Sequence, residues 1–248
     1  MKRVSTTRCA SVSGWEGTIT RTITTLPTLR PDQREIALSK KRFKVVACGR
    51  RWGKTTLGLV LAVRQALYGR QVWWVAPTYG LAFWPWRTLK TALVGRWEHK
   101  SESDRHIDLP RGGSITVKSA DNPDGLRGVG LDFLVVDEAA YVAEEAWTGA
   151  LRPALSDRRG RALIISTPRG RNWFYRVYQR GRDPLAHGWE AWQHETAANP
   201  LIGPEEIVEA QGLLPERVFR QEYLAEFLAD GGEVFSGVRT AATAPVDA

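Results

Sequence analysis

Cysteine, histidine and long apolar runs are all scarce in this chain of 248 residues, and each shortage removes a class of explanation. The two cysteines, Cys9 and Cys48, have no CxxC partner and no nearby histidine ladder, which argues against a disulfide framework and a structural zinc. The four histidines share no metal-ligand spacing. The longest apolar stretches, such as 72–77 and 131–136, have strand length, far short of the roughly 20 residues a membrane helix needs. The N-terminus begins Met1-Lys2-Arg3 but continues through Ser, Thr and Gly14 without the apolar centre of a signal peptide. A cytosolic protein in a reducing compartment, away from membranes, is expected. Acidic side chains also run short: 27 Asp and Glu face 35 Lys and Arg, a formal net charge of +8. That balance favours anionic partners, nucleic acid or nucleotide phosphates, without choosing between them.

What is present is an alternation of short apolar runs and longer amphipathic stretches, the pattern of a mostly parallel α/β sheet with helices on both faces. Strands are expected over 43–47, 71–76, 133–136, 162–165 and 188–194. The first is followed by a helix over 54–68 and the second by one over 84–94. A turn at Pro110-Arg111-Gly112-Gly113 predicts a hairpin between 106–109 and 114–117. Helices over 204–213 and 215–228 read as a small C-terminal lid. The implied organisation is a flexible arm over 1–25, a catalytic core over 26–198, the helical lid over 199–235 and a frayed tail over 236–248.

Gly49-Arg50-Arg51-Trp52-Gly53-Lys54-Thr55-Thr56, between a buried strand and a helix, has the context of a phosphate-binding loop. Its backbone N–H groups would face the β-phosphate, Lys54 would reach the β- and γ-oxygens, and Thr55 would offer a hydroxyl to Mg²⁺. The departure is Cys48, where the standard spacing has Gly. About eighty residues on, the run Phe133-Leu134-Val135-Val136 ends in Asp137-Glu138. This is a Walker B layout, with Asp137 in the metal shell and Glu138 polarising the attacking water. The adjacent Glu, and a further strand between the two motif strands in sequence, indicate the additional-strand, catalytic-Glu branch of P-loop NTPases. Ser166-Thr167-Pro168, closing the fourth strand, suits a polar sensor beside the γ-phosphate. Lys54 and the acid pair are expected at the tips of adjacent parallel strands, facing one triphosphate pocket.

In order and spacing, five motifs resemble the large terminase subunits of tailed phages over about 29–235. They are the loop itself, Ala76-Pro77-Thr78-Tyr79, Leu126-Arg127-Gly128 leading through Asp132 to Asp137-Glu138-Ala139-Ala140, Ile165-Ser166-Thr167-Pro168-Arg169-Gly170, and Asn199-Pro200 with Phe219-Arg220-Gln221-Glu222-Tyr223-Leu224. The resemblance implies an ATPase, with ATP and Mg²⁺, that drives double-stranded DNA into a procapsid. It implies that Gln33 reads the adenine edge, Arg50 meets the γ-phosphate, Arg127 acts on a neighbouring subunit's nucleotide, and Ser166 and Thr167 couple hydrolysis to DNA movement. It also implies a portal protein, a small terminase subunit and a homo-oligomeric ring of five as partners, and a place in the host cytoplasm and transiently on the procapsid. Arg158, Arg159, Arg161, Arg169 and Arg171 are candidates for DNA contact. Full-length members continue into a nuclease, and the roughly twenty residues after Leu228 are too few to build one, so no cleavage of DNA is expected. The competing readings are a helicase-like translocase, which would need a second motor lobe, and a nucleotide-binding scaffold that docks on a portal without turnover.

Overall fold

The computed structural model describes residues 26–229. The expected arm over 1–25, the tail over 236–248 and the end of the expected lid, 230–235, lie outside the described residues. Eight strands, β1 (Phe43–Cys48), β2 (Gln71–Ala76), β3 (His99–Ser101), β4 (His106–Leu109), β5 (Gly113–Ser119), β6 (Phe133–Asp137), β7 (Arg161–Ser166) and β8 (Trp189–His194), form one sheet ordered β3-β4-β5-β2-β6-β7-β1-β8. From β5 to β8 the strands are parallel, while β3 and β4 join antiparallel at one edge.

The central strands are continuous apolar runs because both faces are covered. Val46, Trp74, Val135 and Leu163 face one core with Ile36 of α1 (Pro31–Leu38), Leu57 of α2 (Lys54–Leu67) and Leu89 of α3 (Phe83–Ala92). Val45, Trp73, Leu134 and Ile164 face the other, built from α4 (Glu144–Ala146), the π-helical stretch Trp147–Leu151, α5 (Arg152–Ala154) and α6 (Trp173–Arg182). Trp73 and Trp74 are therefore both core residues, on opposite faces of one strand. Helix α2 lies very close to the sheet: a Cβ on Gly58 would come within 2.8 Å of Trp74, and one on Gly113 within 2.0 Å of the Ala66 carbonyl oxygen. Gly113→Ala is accordingly expected to cost about 1–3 kcal/mol of stability by overpacking. Urea unfolding checks this, and a loss below about 0.5 kcal/mol, the range of ordinary surface changes, would show that the approach of α2 to β5 is not tight.

The structure departs from the sequence reading in four places. The phosphate-loop strand β1 and the acid-bearing strand β6 are not adjacent, because β7 lies between them and pairs with both. Helix α7 (Pro204–Leu213) forms as expected, but α8 (Glu216–Glu222) stops six residues before Leu228. Past it, the Tyr223 carbonyl accepts from Thr196 N at 2.8 Å and Ala225 takes a left-handed φ of 57°, so the chain turns away and delivers Phe227 to the rings of Phe174, Tyr175 and Tyr178. The apolar spacing that reads as helix here is a segment packing side chains on α6. Strand β3 and the helical stretch that runs from α4 to α5 carry no sequence signal strong enough to be marked. Helix α3 begins one residue and ends two residues before its expected bounds, within the fraying of helix ends.

Candidate active site

The loop that follows β1 is shaped by glycines and by braces from elsewhere in the chain. Gly49 has no room for a side chain, since a Cβ would fall 2.4 Å from Thr196 Oγ1 and 2.6 Å from the Tyr223 carbonyl oxygen. Gly53 sits at φ 99°, which a residue with a Cβ adopts only under strain. The carbonyls of Arg50, Arg51 and Gly53 accept hydrogen bonds from Thr196 Oγ1 (2.8 Å), Asn199 Nδ2 (2.7 Å) and Gln33 Nε2 (3.1 Å). Helix α2 then starts at Lys54, and its first-turn amides have no carbonyl one turn earlier to bind, which makes the start of a 14-residue helix a natural seat for phosphate.

A cleft of about 430 Å³ opens over this loop, lined by Arg50, Arg51, Lys54, Leu81, Glu138, Tyr141, Thr167 and Glu222. Lys54 Nζ lies 3.2 Å from Glu138 Oε1 and donates to Thr167 Oγ1 at 3.2 Å. The tips of β1, β7 and β6 thus contribute one functional group each: the loop lysine, the hydroxyl after Ser166, and the Glu138 carboxylate just past β6. Glu138 reaches the cleft through a left-handed turn at φ 50°, held by its own N–H donating to Asp137 Oδ1 at 3.1 Å. Such a conformation is uncommon for a residue with a side chain and costs about 1–3 kcal/mol where the surroundings enforce it. Asp137 is buried, and its burial and the neighbouring Glu138 push its carboxyl up to about 7 against the pull of Lys54. Ser166 Oγ accepts from Ala140 N at 3.1 Å and lies 3.5 Å from Glu138 Oε2, so it supports the turn that carries the acid.

The remaining expected site residues fall in different places. Trp52 is fully buried and stacks on His194 at 4.8 Å, with the Arg30 guanidinium 5.3 Å from its ring; its side chain belongs to the core and only its backbone is near the loop surface. Gln33 is buried rather than solvated: its amide oxygen accepts from Arg30 N at 3.1 Å while its nitrogen holds the Gly53 carbonyl. Thr55 and Thr56 are half-buried in the first turn of α2. Cys48 is wholly buried among apolar side chains, and that burial pushes its thiol up to about 12, so it is a neutral packing group where the standard loop has Gly. Arg127 is exposed, pairs with Asp124 at 3.3 Å and does not line the cleft of its own chain. Among the DNA candidates, Arg161 donates to the Ser39 and Lys41 carbonyls and Arg158 pairs with Asp132 at 3.5 Å. Arg169 lies 4.6 Å over Tyr141, at the cleft; Arg171 lies over Tyr175, and Arg159 is exposed. Leu81, Tyr141 and Glu222 line the cleft without having been singled out; the one signal for Glu222 was its place in the Phe219–Leu224 motif.

This geometry has recognisable relatives. A family model described as the T4likevirus-type terminase large subunit, N-terminal, matches residues 46–240. The chain belongs to the terminase large subunit family. The terminase large subunit of Thermus phage G20c is 34% identical over 251 aligned positions, which cover 84% of this chain and 51% of that protein. The solved ATPase domain of the Thermus phage P74-26 large terminase superposes with a TM-score of 0.70 at 30% identity, covering 81% of this chain and 94% of that one. The large terminase of bacteriophage HK97, at 17% identity and a TM-score of 0.70 over 81% of this chain and 51% of that one, shares the fold. The chain spans about half the length of the curated terminase relatives it matches. The eight-stranded, mostly parallel sheet is that of a terminase ATPase domain, a P-loop NTPase, as the motif order in the sequence indicates.

Proposed function

We propose that the chain binds and hydrolyses ATP as the motor part of a phage DNA-packaging terminase. The observation that carries this reading is the meeting of Lys54, Thr167 and Glu138 within 3.2 Å contacts at the rim of a cleft floored by a phosphate-type loop. The Lys54 ammonium is shared between a carboxylate and a hydroxyl. A triphosphate offers it denser negative charge, so Lys54 turns to the β- and γ-oxygens and Glu138 is freed to accept a proton from the attacking water. Thr55 and Asp137 supply oxygen donors only, the set a hard divalent cation such as Mg²⁺ takes, usually with one or two protein ligands and substrate phosphates completing the shell. Bound there, Mg²⁺ would neutralise charge on the phosphate oxygens. Arg50 belongs at the γ-phosphate end of the cleft and Arg127 at the nucleotide of a neighbouring subunit. Ser166 and Thr167, touching Glu138 and Lys54 respectively, suit a relay from the nucleotide to the surface that grips DNA. Double-stranded DNA, a portal, a small terminase subunit and a five-membered ring complete the proposal, which rests for these partners on family membership.

The test is direct. The wild-type chain should bind a fluorescent ATP analogue in the presence of Mg²⁺, and Lys54→Ala should weaken that binding about 10- to 100-fold, the value of one charge-assisted hydrogen bond. No detectable binding by the wild type at millimolar nucleotide, or equal affinity in the variant, would sink the ATPase reading.

A further inference from the structure

Glu222 is an acid in a cleft otherwise furnished for an anion. It lines the same space as Arg50, Arg51 and Lys54, with its side chain only 12% accessible, and it comes from α8 of the lid rather than from the sheet. A carboxylate facing phosphate would repel it unless it served the cations around it. Glu222 Oε2 accepts from Arg50 Nε at 2.5 Å, its backbone carbonyl accepts from Arg50 N at 2.7 Å, and its other carboxylate oxygen accepts from Gln221 Nε2 at 3.1 Å. The acid is thus fixed on both oxygens and grips Arg50 twice, by side chain and by backbone.

The choice of atom matters. A guanidinium carries five N–H donors in a rigid fork. Held by Nε alone, Arg50 keeps all four Nη hydrogens for another acceptor, and no other side-chain hydrogen bond from it occurs among the described residues. Its side chain is otherwise 66% accessible and would sample many rotamers. We propose, on the nucleotide reading above, that Glu222 is a positioning residue that aims Arg50 at the terminal phosphate, so that the lid rather than the loop sets how well the site tells ATP from ADP. Glu222 acts through Arg50 and touches no phosphate itself.

The measurement is the ratio of ADP to ATP dissociation constants, taken with fluorescent analogues and Mg²⁺ for wild type, Arg50→Ala, Glu222→Ala, Glu222→Gln and the double variants. Arg50→Ala is expected to lower the preference for ATP about tenfold or more, the scale of a charge-assisted hydrogen bond. Glu222→Ala should lose most of that preference, with ADP affinity little changed, and should add nothing in the Arg50→Ala background. A merely structural role for Glu222 would weaken both nucleotides alike. Glu222→Gln keeps an acceptor for Nε, so it should fall between wild type and Ala, and it decides the matter if the alanine variant does not fold. The proposal is overturned if the preference for ATP stays within about twofold of wild type, if the two losses add, or if removing the carboxylate tightens ATP binding. Failure of the wild type to bind either nucleotide sinks the nucleotide reading itself, which is a distinct result from intact binding that ignores Glu222.

Discussion

Glu138→Gln is expected to reduce ATP turnover by about 10²–10⁴-fold, the usual contribution of a positioned general base, while ATP binding stays at or slightly above the wild-type level. The asymmetry follows from the ion pair in which Glu138 Oε1 lies 3.2 Å from Lys54 Nζ. Gln keeps the size and the hydrogen-bonding capacity but neither accepts the water's proton nor competes as strongly for the ammonium. Binding loses nothing and the chemical step loses its base. Steady-state phosphate release and nucleotide titration on the same preparation separate the two effects. Turnover within about threefold of wild type would remove Glu138 from the chemistry, as would equal losses in binding and rate.

Arg127→Ala is expected to lower the rate of the assembled motor by about 10³–10⁵-fold, the range for an arginine supplied to phosphoryl transfer, and to leave the dilute chain's slow basal rate unchanged. Arg127 is exposed and does not line its own cleft, which suits the proposed role on another subunit's nucleotide. Mixing the Arg127→Ala and Glu138→Gln chains offers a sharper check. One composite site in such an assembly has an intact Glu138 facing an intact Arg127, so partial activity should return. No recovery on mixing, or an equal loss in the isolated chain, would mean that Arg127 acts within its own subunit or only through folding.

The residues that meet at the site were more legible in the sequence than its architecture. Lys54, Asp137 and Glu138 announce themselves because phosphate chemistry allows few residue types, at strand ends, in a fixed order. The sheet class was equally plain, since runs such as 133–136 and 162–165 are apolar on both faces. Strand order was not: β7 lies between β1 and β6 through long-range pairing that leaves no local mark, and an apolar run says that a strand is central without saying beside which. The early end of α8 was hidden for a related reason, because Tyr223 and Phe227 fall in a stretch of helical spacing but are used by the Thr196 turn and the core of α6. Gln33 and Glu222 show the same limit at the site. Their residue types fit solvent-facing positions, and only the folded chain brings one to the Gly53 carbonyl and the other to Arg50.

The braces on the loop carbonyls have a thermodynamic consequence. In a trans peptide the C=O and the following N–H point in opposite directions, so fixing the Arg50 and Gly53 oxygens to Thr196 and Gln33 turns the N–H groups of Arg51 and Lys54 the other way. These amides are set by contacts with a helix before β1 and a turn after β8, and not by the guest molecule. The cradle is shaped by the chain itself, so association of a ligand has little backbone ordering left to do there.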